Sequence, residues 1–464
     1  MIPPNCRPDG RERPPESSNL GDRLRAAKAA VGKLPTNPLW PYLLTALAGL
    51  LIVLRNTRYF TEPRFWAEEG SYHFAFSYSH DWWRALFQPQ QGYLNFWPNL
   101  ATLLSTLPPL ELAPLVTTLM ALVVQLLPVA IIAWSRSPIW GHWARRLAGI
   151  GVTLFSALTA EVWLNTVNSY NYFAAITFLL LLEHAPLRSQ TARRWAYRTL
   201  LLTAGLTGLN STLLMPFFAL RAVLDRQAER WRQVAILSGC AVVHLVVLVS
   251  VTSRATIHDR SIHPLGLAHF GAAIWTQTIG LFTLGYEGIL DVFSNISSLM
   301  DHDPTGFQRL GWSLLVLGLA AMFVLSVRLP LTLRVLFIGS YLVLMFIPMT
   351  FSIITDKPSL LLPGDHQRLF LTPNLIFGWM LVAGSAVPRR GGWRVQAKHA
   401  AALLGMLLLS ASVVHGVLSY RYQFKHVDPD HWPNWTAEVE NWRADSSYMP
   451  RIQPEGWVVP LEPP

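Results

Sequence analysis

Charge and sulfur are what this 464-residue chain has least of. Charged residues make up 14% of it, against roughly 25% in a soluble domain. That is too little to keep a surface of this size in water, and it excludes a soluble enzyme. There are two cysteines, Cys6 in a polar tail and Cys240 inside an apolar run. A structural zinc site is excluded, and a disulfide between them is not expected. Lysine is scarce as well, with 5 against 32 arginines. The chain lacks a glycine-rich phosphate loop, a dinucleotide fingerprint, a Gly-x-Ser-x-Gly elbow and a His-Glu-x-x-His pair. Phosphate-fuelled transport, redox chemistry and zinc proteolysis therefore have no positive support. Helix-turn-helix and zinc-finger spacings are missing too. The net charge of +10 forms no basic stripe interleaved with aromatics, so no nucleic-acid partner is expected.

What the chain has in abundance is apolar length. Hydrophobic residues reach 52%, the mean hydropathy is +0.31, and runs near 20 residues recur, as membrane-spanning helices require. The 33 prolines and 19 tryptophans suit such helices and their interfaces. The expected fold is all-α, a polytopic transmembrane helical bundle of about 10–12 membrane segments, some of them short or re-entrant. Apolar runs fall near 39–55, 93–107, 112–134, 147–164, 171–183, 199–220, 233–253, 269–290, 311–327, 335–354, 369–387 and 399–418. If every run crossed once, basic loops would alternate between the two sides. The conflict disappears if 93–107 and 269–290 are re-entrant or interfacial and 199–220 is a short hairpin with its tip at Leu209-Asn210-Ser211. Irregular backbone at membrane depth is tolerated only beside protein or a water-filled cavity, which makes all three candidate walls of a site.

With that assignment the loops 135–146, 184–198, 221–232, 328–334 and 388–398 are cytoplasmic by the positive-inside rule. They hold arginines such as Arg136, Arg193, Arg230, Arg334 and Arg390, with Asp225 and Glu229 as their only acids. Most other acids fall outside. The expected organisation is a disordered cytoplasmic tail over 1–38 without a cleavable signal peptide, a transmembrane domain over 39–418 with outer loops 56–92, 254–310 and 355–368, and an extracytoplasmic aromatic-rich tail over 419–464. Capping the outer cavity is the simpler reading of that tail, and stacking on sugar faces the other. The expected location is the cytoplasmic (inner) membrane.

Three groups could carry chemistry, all on the outer side. In the first loop, Glu68 and Glu69 lie side by side among aromatics. Desolvation and like charge raise a carboxylate's pKa toward that of a general base, and a solvated interfacial pair is the plain alternative. In the late loop, His366 precedes Arg368 at the mouth of a helix, where a guanidinium can fork onto a phosphate or act as an interfacial anchor. Between two helices lie Glu161, Asn165, Asn168, Tyr170 and Asn171. Such amides suit sugar hydroxyls, although asparagines are also common caps and turn formers, the simpler reading here. An acid at a membrane helix end, as Glu161 is, is costly and points to function. Asp81, Arg84 and Tyr93 are further candidates for substrate binding. His258-Asp259-Arg260, His263 and Asp301-His302-Asp303 are weaker candidates, because adjacent loop residues do not converge on a metal without further ligands. No cofactor is expected, and a divalent metal has no support.

These pieces resemble the GT-C superfamily of polytopic glycosyltransferases, in particular its poorly characterised bacterial members. The likeness rests on Arg64-Phe65-Trp66-Ala67-Glu68-Glu69-Gly70, Gln91-Gly92-Tyr93-Leu94-Asn95, Glu161-Val162-Trp163-Leu164-Asn165-Thr166-Val167-Asn168, Leu206-Thr207-Gly208 and Gln367-Arg368-Leu369-Phe370. It covers roughly 39–420, and none of these motifs is diagnostic alone. The resemblance implies inverting transfer of a sugar from a polyprenyl-phosphate donor to a glycan, lipid or protein acceptor on the outer face of the membrane. Glu68 or Glu69 would be the base, and Arg368 with His366 would bind the donor phosphate. The family's base is often Asp, and the longer glutamate arm leaves open which of the two reaches the acceptor. A transporter or flippase of a polar or lipid-linked substrate, and an O-antigen polymerase or ligase, are the competing readings. No inverted repeat supports the transporter, and the longest outer loop of the core is the acidic first one instead of a late basic one.

Overall fold

A computed structural model describes residues 38–90, 92–156, 159–252, 266–351, 359–385, 393–418 and 433–462. Most of the N-terminal tail with Cys6, the His258–His263 stretch, the turn Asp356-Lys357-Pro358 and the start of the C-terminal tail lie outside the described residues.

The described chain is an all-α bundle whose regular strand pairing is one antiparallel pair, β1 (Pro89–Gln90) with β2 (Tyr93–Leu94). The main helices are α1 (Trp40–Arg55), α2 (Phe96–Ser105), α3 (Ala113–Trp134), α4 (Trp143–Phe155) and α5 (Ser169–Leu182). Then come α6 (Thr191–Leu206), α7 (Met215–Asp225), α8 (Ala228–Thr252), α9 (Leu267–Ala273) and α10 (Gly280–His302). The last five are α11 (Pro304–Leu325), α12 (Leu331–Phe351), α13 (Gln367–Gly384), α14 (Trp393–Leu418) and α15 (Trp435–Ala444). Among the described residues, five helices are long and apolar enough to cross a membrane: Leu110–Trp134, Ala228–Ser250, Pro304–Leu325, Leu331–Thr350 and Lys398–Leu418. Their outward faces carry side chains such as Val242, Leu245 and Val249 on α8 and Leu403 and Leu407 on α14, all exposed. Such faces suit contact with hydrocarbon.

The three irregular runs are short or broken. The first, 93–107, becomes β2 and the ten-residue α2, about 15 Å of helix and half of what a span needs. The second, 199–220, splits into α6, a 3-10 turn at Thr212–Leu214 and α7. The third contains a widened π-helical turn, Ile274–Ile279, and a non-helical Gly285 inside α10. Of the outer loop expected over 254–310, residues 267–302 are therefore helical. Asp303 caps α11 through Gly306 N at 2.9 Å, and His302 bonds the Ser298 carbonyl at 2.8 Å. Both side chains serve local turns.

Two helices form the centre. Every residue of α5 is buried except Tyr170, and every residue of α13 except Arg368. A helix apolar all round must be enclosed by others, and here Asn171, Thr372 and Asn374, among the polar residues left inside, are paired. The two run parallel: Thr372 Oγ1 donates to the Asn171 carbonyl at 2.9 Å near their starts, and Phe178 stacks on Trp379 at 6.3 Å further along. Lipid tails are as apolar as leucine, so packing and interhelical hydrogen bonds must hold such a bundle together. The π-helical turn supplies several. Thr278 Oγ1 bonds Asn374 Oδ1 at 2.7 Å, Asn374 Nδ2 donates to the Gln277 carbonyl at 2.9 Å, and Tyr341 donates to Thr278 at 2.9 Å.

The polar loops gather at two ends. At the C-terminal end of α5, buried Glu183 accepts from the Ser135 hydroxyl, Arg193 Nη2 at 2.6 Å and Tyr197. The fully buried Arg230 donates to the Glu183 carbonyl and pairs with Asp225 at 3.2 Å. The basic loops 135–146, 184–198 and 221–232 thus meet one another. At the opposite end the loop before α5 bonds the first loop through Thr166 and Glu69, and the first loop in turn pairs with the tail.

Candidate functional site

Tyr170 and Arg368, the only residues of α5 and α13 that are not buried, meet at one place: the Tyr170 hydroxyl donates to the Arg368 carbonyl at 3.2 Å. Arg368 Nε lies 3.4 Å from Glu161 Oε1, and its backbone N–H donates to Glu161 Oε2 at 3.3 Å. One carboxylate therefore meets both a guanidinium and the first turn of a helix, where unpaired N–H groups favour an anion. Glu68 and Tyr93 lie within electrostatic range of the same guanidinium, and Asp365 within range of Glu161. The Arg368 side chain keeps 38% of its surface open.

Local structure explains the convergence. The loop between α4 and α5 is held by its own amides. Asn165 Nδ2 and Asn168 Nδ2 each donate to the Glu161 carbonyl at 2.7 Å, and Asn165 Oδ1 accepts from Asn168 N at 3.0 Å. Both side chains are buried, so the two asparagines hold Glu161 in place and their amides are occupied. Beneath the loop, Arg55 lies over the Trp163 ring at 4.1 Å. On the other side, Gln277 Nε2 donates to the carbonyls of Leu360 and Leu362 at 3.0 and 2.8 Å. It thereby shapes the turn that delivers Arg368. His366, at φ 49°, ends that turn with Nε2 3.1 Å from Ser359 Oγ. Tyr93 is brought in by β2 and α2, which bond the tip of the α6–α7 hairpin: Gly208 N donates to the Leu94 carbonyl at 3.1 Å and Trp97 N to Thr207 Oγ1 at 3.2 Å.

The adjacent glutamates part company. Glu68 is half-buried and lies within electrostatic range of Arg368. Glu69 is 2% exposed and is fully engaged: Oε1 accepts from Thr166 N at 2.8 Å and Thr166 Oγ1 at 2.5 Å, and Oε2 accepts from Trp66 N at 3.2 Å. Burial pushes the Glu69 carboxyl above the usual carboxylate range, opposed by the Thr166 and Trp66 hydrogen bonds and the Arg64 charge. A raised pKa alone would favour Glu69 as a base. A base must also reach the proton it takes, and that condition favours Glu68.

Of the residues singled out from sequence, the fold brings Glu68, Tyr93, Glu161 and Arg368 together. Glu69, Asn165 and Asn168 are spent on the scaffold, and His366 bonds within its own turn. Asp81 and Arg84 are exposed on a short helical turn, Arg84 lying over the Trp83 ring at 5.2 Å. Among the described residues no hydrogen bond or ion pair ties either of them to the cluster. The sequence reading missed Thr166 as the partner of Glu69 and Asp365 as a neighbour of Glu161. Neither carries a local signal, because both roles depend on contacts between distant segments. Comparison with protein-family models, curated proteins and solved structures found no match for this chain.

Proposed function

We propose that the chain is a multi-pass membrane glycosyltransferase taking a sugar from a polyprenyl-phosphate donor, with its acid-bearing end on the outer face of the cytoplasmic membrane. The observation that carries this reading is the Arg368–Glu161 contact at the joined N-terminal ends of the two central helices, with Glu68 within electrostatic range of it. In this reading the Glu68 carboxylate takes the proton of the acceptor hydroxyl as its oxygen attacks the anomeric carbon from the face opposite the leaving group. The bond from that carbon to the phosphate oxygen breaks, and the electron pair leaves with the phosphate. Arg368 and the first turn of α13 offset the charge that develops there. Glu161 occupies this anion site while it is empty of substrate, and the donor phosphate displaces or shares its contacts. Tyr93 and Tyr170 offer hydroxyls at the rim.

The test is transfer from a radiolabelled polyprenyl-phosphate sugar by purified protein. Glu68→Gln is expected to lower turnover by about 10²–10⁴-fold, the range for a positioned base. Arg368→Ala is expected to raise the donor KM. Unchanged kinetics in both variants would overturn the assignment. Substrate accumulation in sealed vesicles without a covalent product would instead support a transporter.

A further inference from the structure

The backbone of the C-terminal tail pairs with the residues that precede Glu68. Gln453 forms a parallel bridge with Trp66: its N–H donates to the Phe65 carbonyl at 3.3 Å, and its carbonyl accepts from Ala67 N. Ala67 has φ 42°, a left-handed conformation that a residue with a Cβ keeps only where its surroundings hold it. The grip lies on both sides of Trp66, at Phe65 and Ala67, three and one residues before Glu68. We propose that the strand segment Arg451–Gln453 is a clamp, with Gln453 a positioning residue acting through Ala67 to fix the direction of Glu68 toward Arg368.

The tail is built to deliver that grip. Trp435 Nε1 donates to the Leu110 carbonyl at 2.8 Å, and its ring meets Phe65 edge-on at 5.1 Å. Glu438, 3% exposed, gathers Arg451 N at 2.9 Å, Arg451 Nη2 at 2.7 Å and the Tyr448 hydroxyl at 2.5 Å. This folds the segment after α15 back onto the helix. Tail and first loop form an apolar cluster of their own, separate from the cluster around α5 and α13. Loosening the tail therefore leaves the central helices packed while freeing the loop that carries Glu68. A tail that only covered the site would need no backbone pairing to it.

The proposal rests on Glu68 being the base, and the experiment separates the two ideas. In a background of Cys6→Ser and Cys240→Ser, Glu68→Cys is reacted in detergent with a charged thiosulfonate reagent. Gln453→Pro, which removes the donating N–H, and Trp435→Ala, which removes the anchor, are each expected to speed modification at least fivefold. Glu455→Ala, at the exposed tip of the tail, is the control and is expected to react at the parental rate. Equal rates in all four proteins would overturn the clamp. With Glu68 restored, the two clamp variants are expected to lose at least tenfold in kcat while the donor KM stays within twofold. Unchanged kcat would reject the positioning role. If the parent transfers no sugar, the transferase reading fails while the thiol rates still decide the clamp.

Discussion

Glu68 and Glu69 show how far one peptide step can separate two identical side chains. Glu69 is enclosed and accepts three hydrogen bonds across two segments, whereas Glu68 is half-buried within electrostatic range of a guanidinium. Glu69→Gln puts an amide where carboxylate oxygens accept from two N–H groups and a hydroxyl. Leaving a buried group unpaired costs about 1–3 kcal/mol. That variant is expected to unfold at lower temperature in detergent, while Glu68→Gln keeps the parental midpoint; the reverse ranking would exchange their roles. His73, four residues after Glu69 in the same helical segment, adds a pH dependence. Burial lowers its pKa to about 4, with Nδ1 2.7 Å from Asn99 Oδ1. The unfolded chain binds a proton near pH 6.5 and the folded one only near 4, so the unfolded state holds more protons between these values. Stability from this group is complete above pH 6.5, declines as pH falls toward 4, and is level below that. The loss is about 3 kcal/mol at 1.36 kcal/mol per unit. Thermal melts from pH 7.5 to 4 are expected to show this slope, and His73→Gln to flatten it. None of these differences was legible in the sequence, where Glu68-Glu69 is a pair and His73 one histidine among 14.

At the scale of elements, the apolar runs and their interruptions were readable because helix length and hydropathy are local properties. The shortness of α2 follows from Pro108-Pro109 and the polar start of its run. The break between α6 and α7 follows from Gly208, Asn210 and the residues around them. Which runs would be central was not readable, since α5, α8 and α14 are all apolar and only α5 is enclosed. Close approach is likewise a pairwise property. A Cβ on Gly271 would stand 2.1 Å from the Gly311 carbonyl oxygen, and one on Gly311 2.5 Å from the Ala268 carbonyl oxygen. Helices α9 and α11 therefore touch backbone to backbone, and backbone cannot step aside as a side-chain tip does. Gly311→Val is expected to destabilise by about 1–3 kcal/mol or more through overpacking. Gly239, inside α8, meets nothing within 4 Å, so Gly239→Ala is expected to gain up to about 1 kcal/mol from helix propensity alone. Melting midpoints of the two variants, measured side by side, check both signs.

For the whole molecule, the sorted charge is the feature to test. Basic loops converge at the C-terminal end of α5, and the acids of the candidate site converge at its N-terminal end. In the Cys6→Ser, Cys240→Ser background, Asp81→Cys is expected to react with an impermeant maleimide on intact cells, and Arg188→Cys only after the membrane is opened. The opposite pattern would invert the proposed orientation. The sequence by itself determined the all-α membrane-type architecture, the positions of its breaks and the segregation of its charges. Each of these is a property of a segment of about 20 residues read against water and hydrocarbon. Only the tertiary structure decided that Glu161 and Arg368, 207 residues apart, form one contact. It alone separated Glu68 from Glu69 and laid the tail against the first loop. Those outcomes depend on which helices become neighbours, and neighbours in a bundle are chosen by packing and hydrogen bonding between segments with almost the same hydropathy.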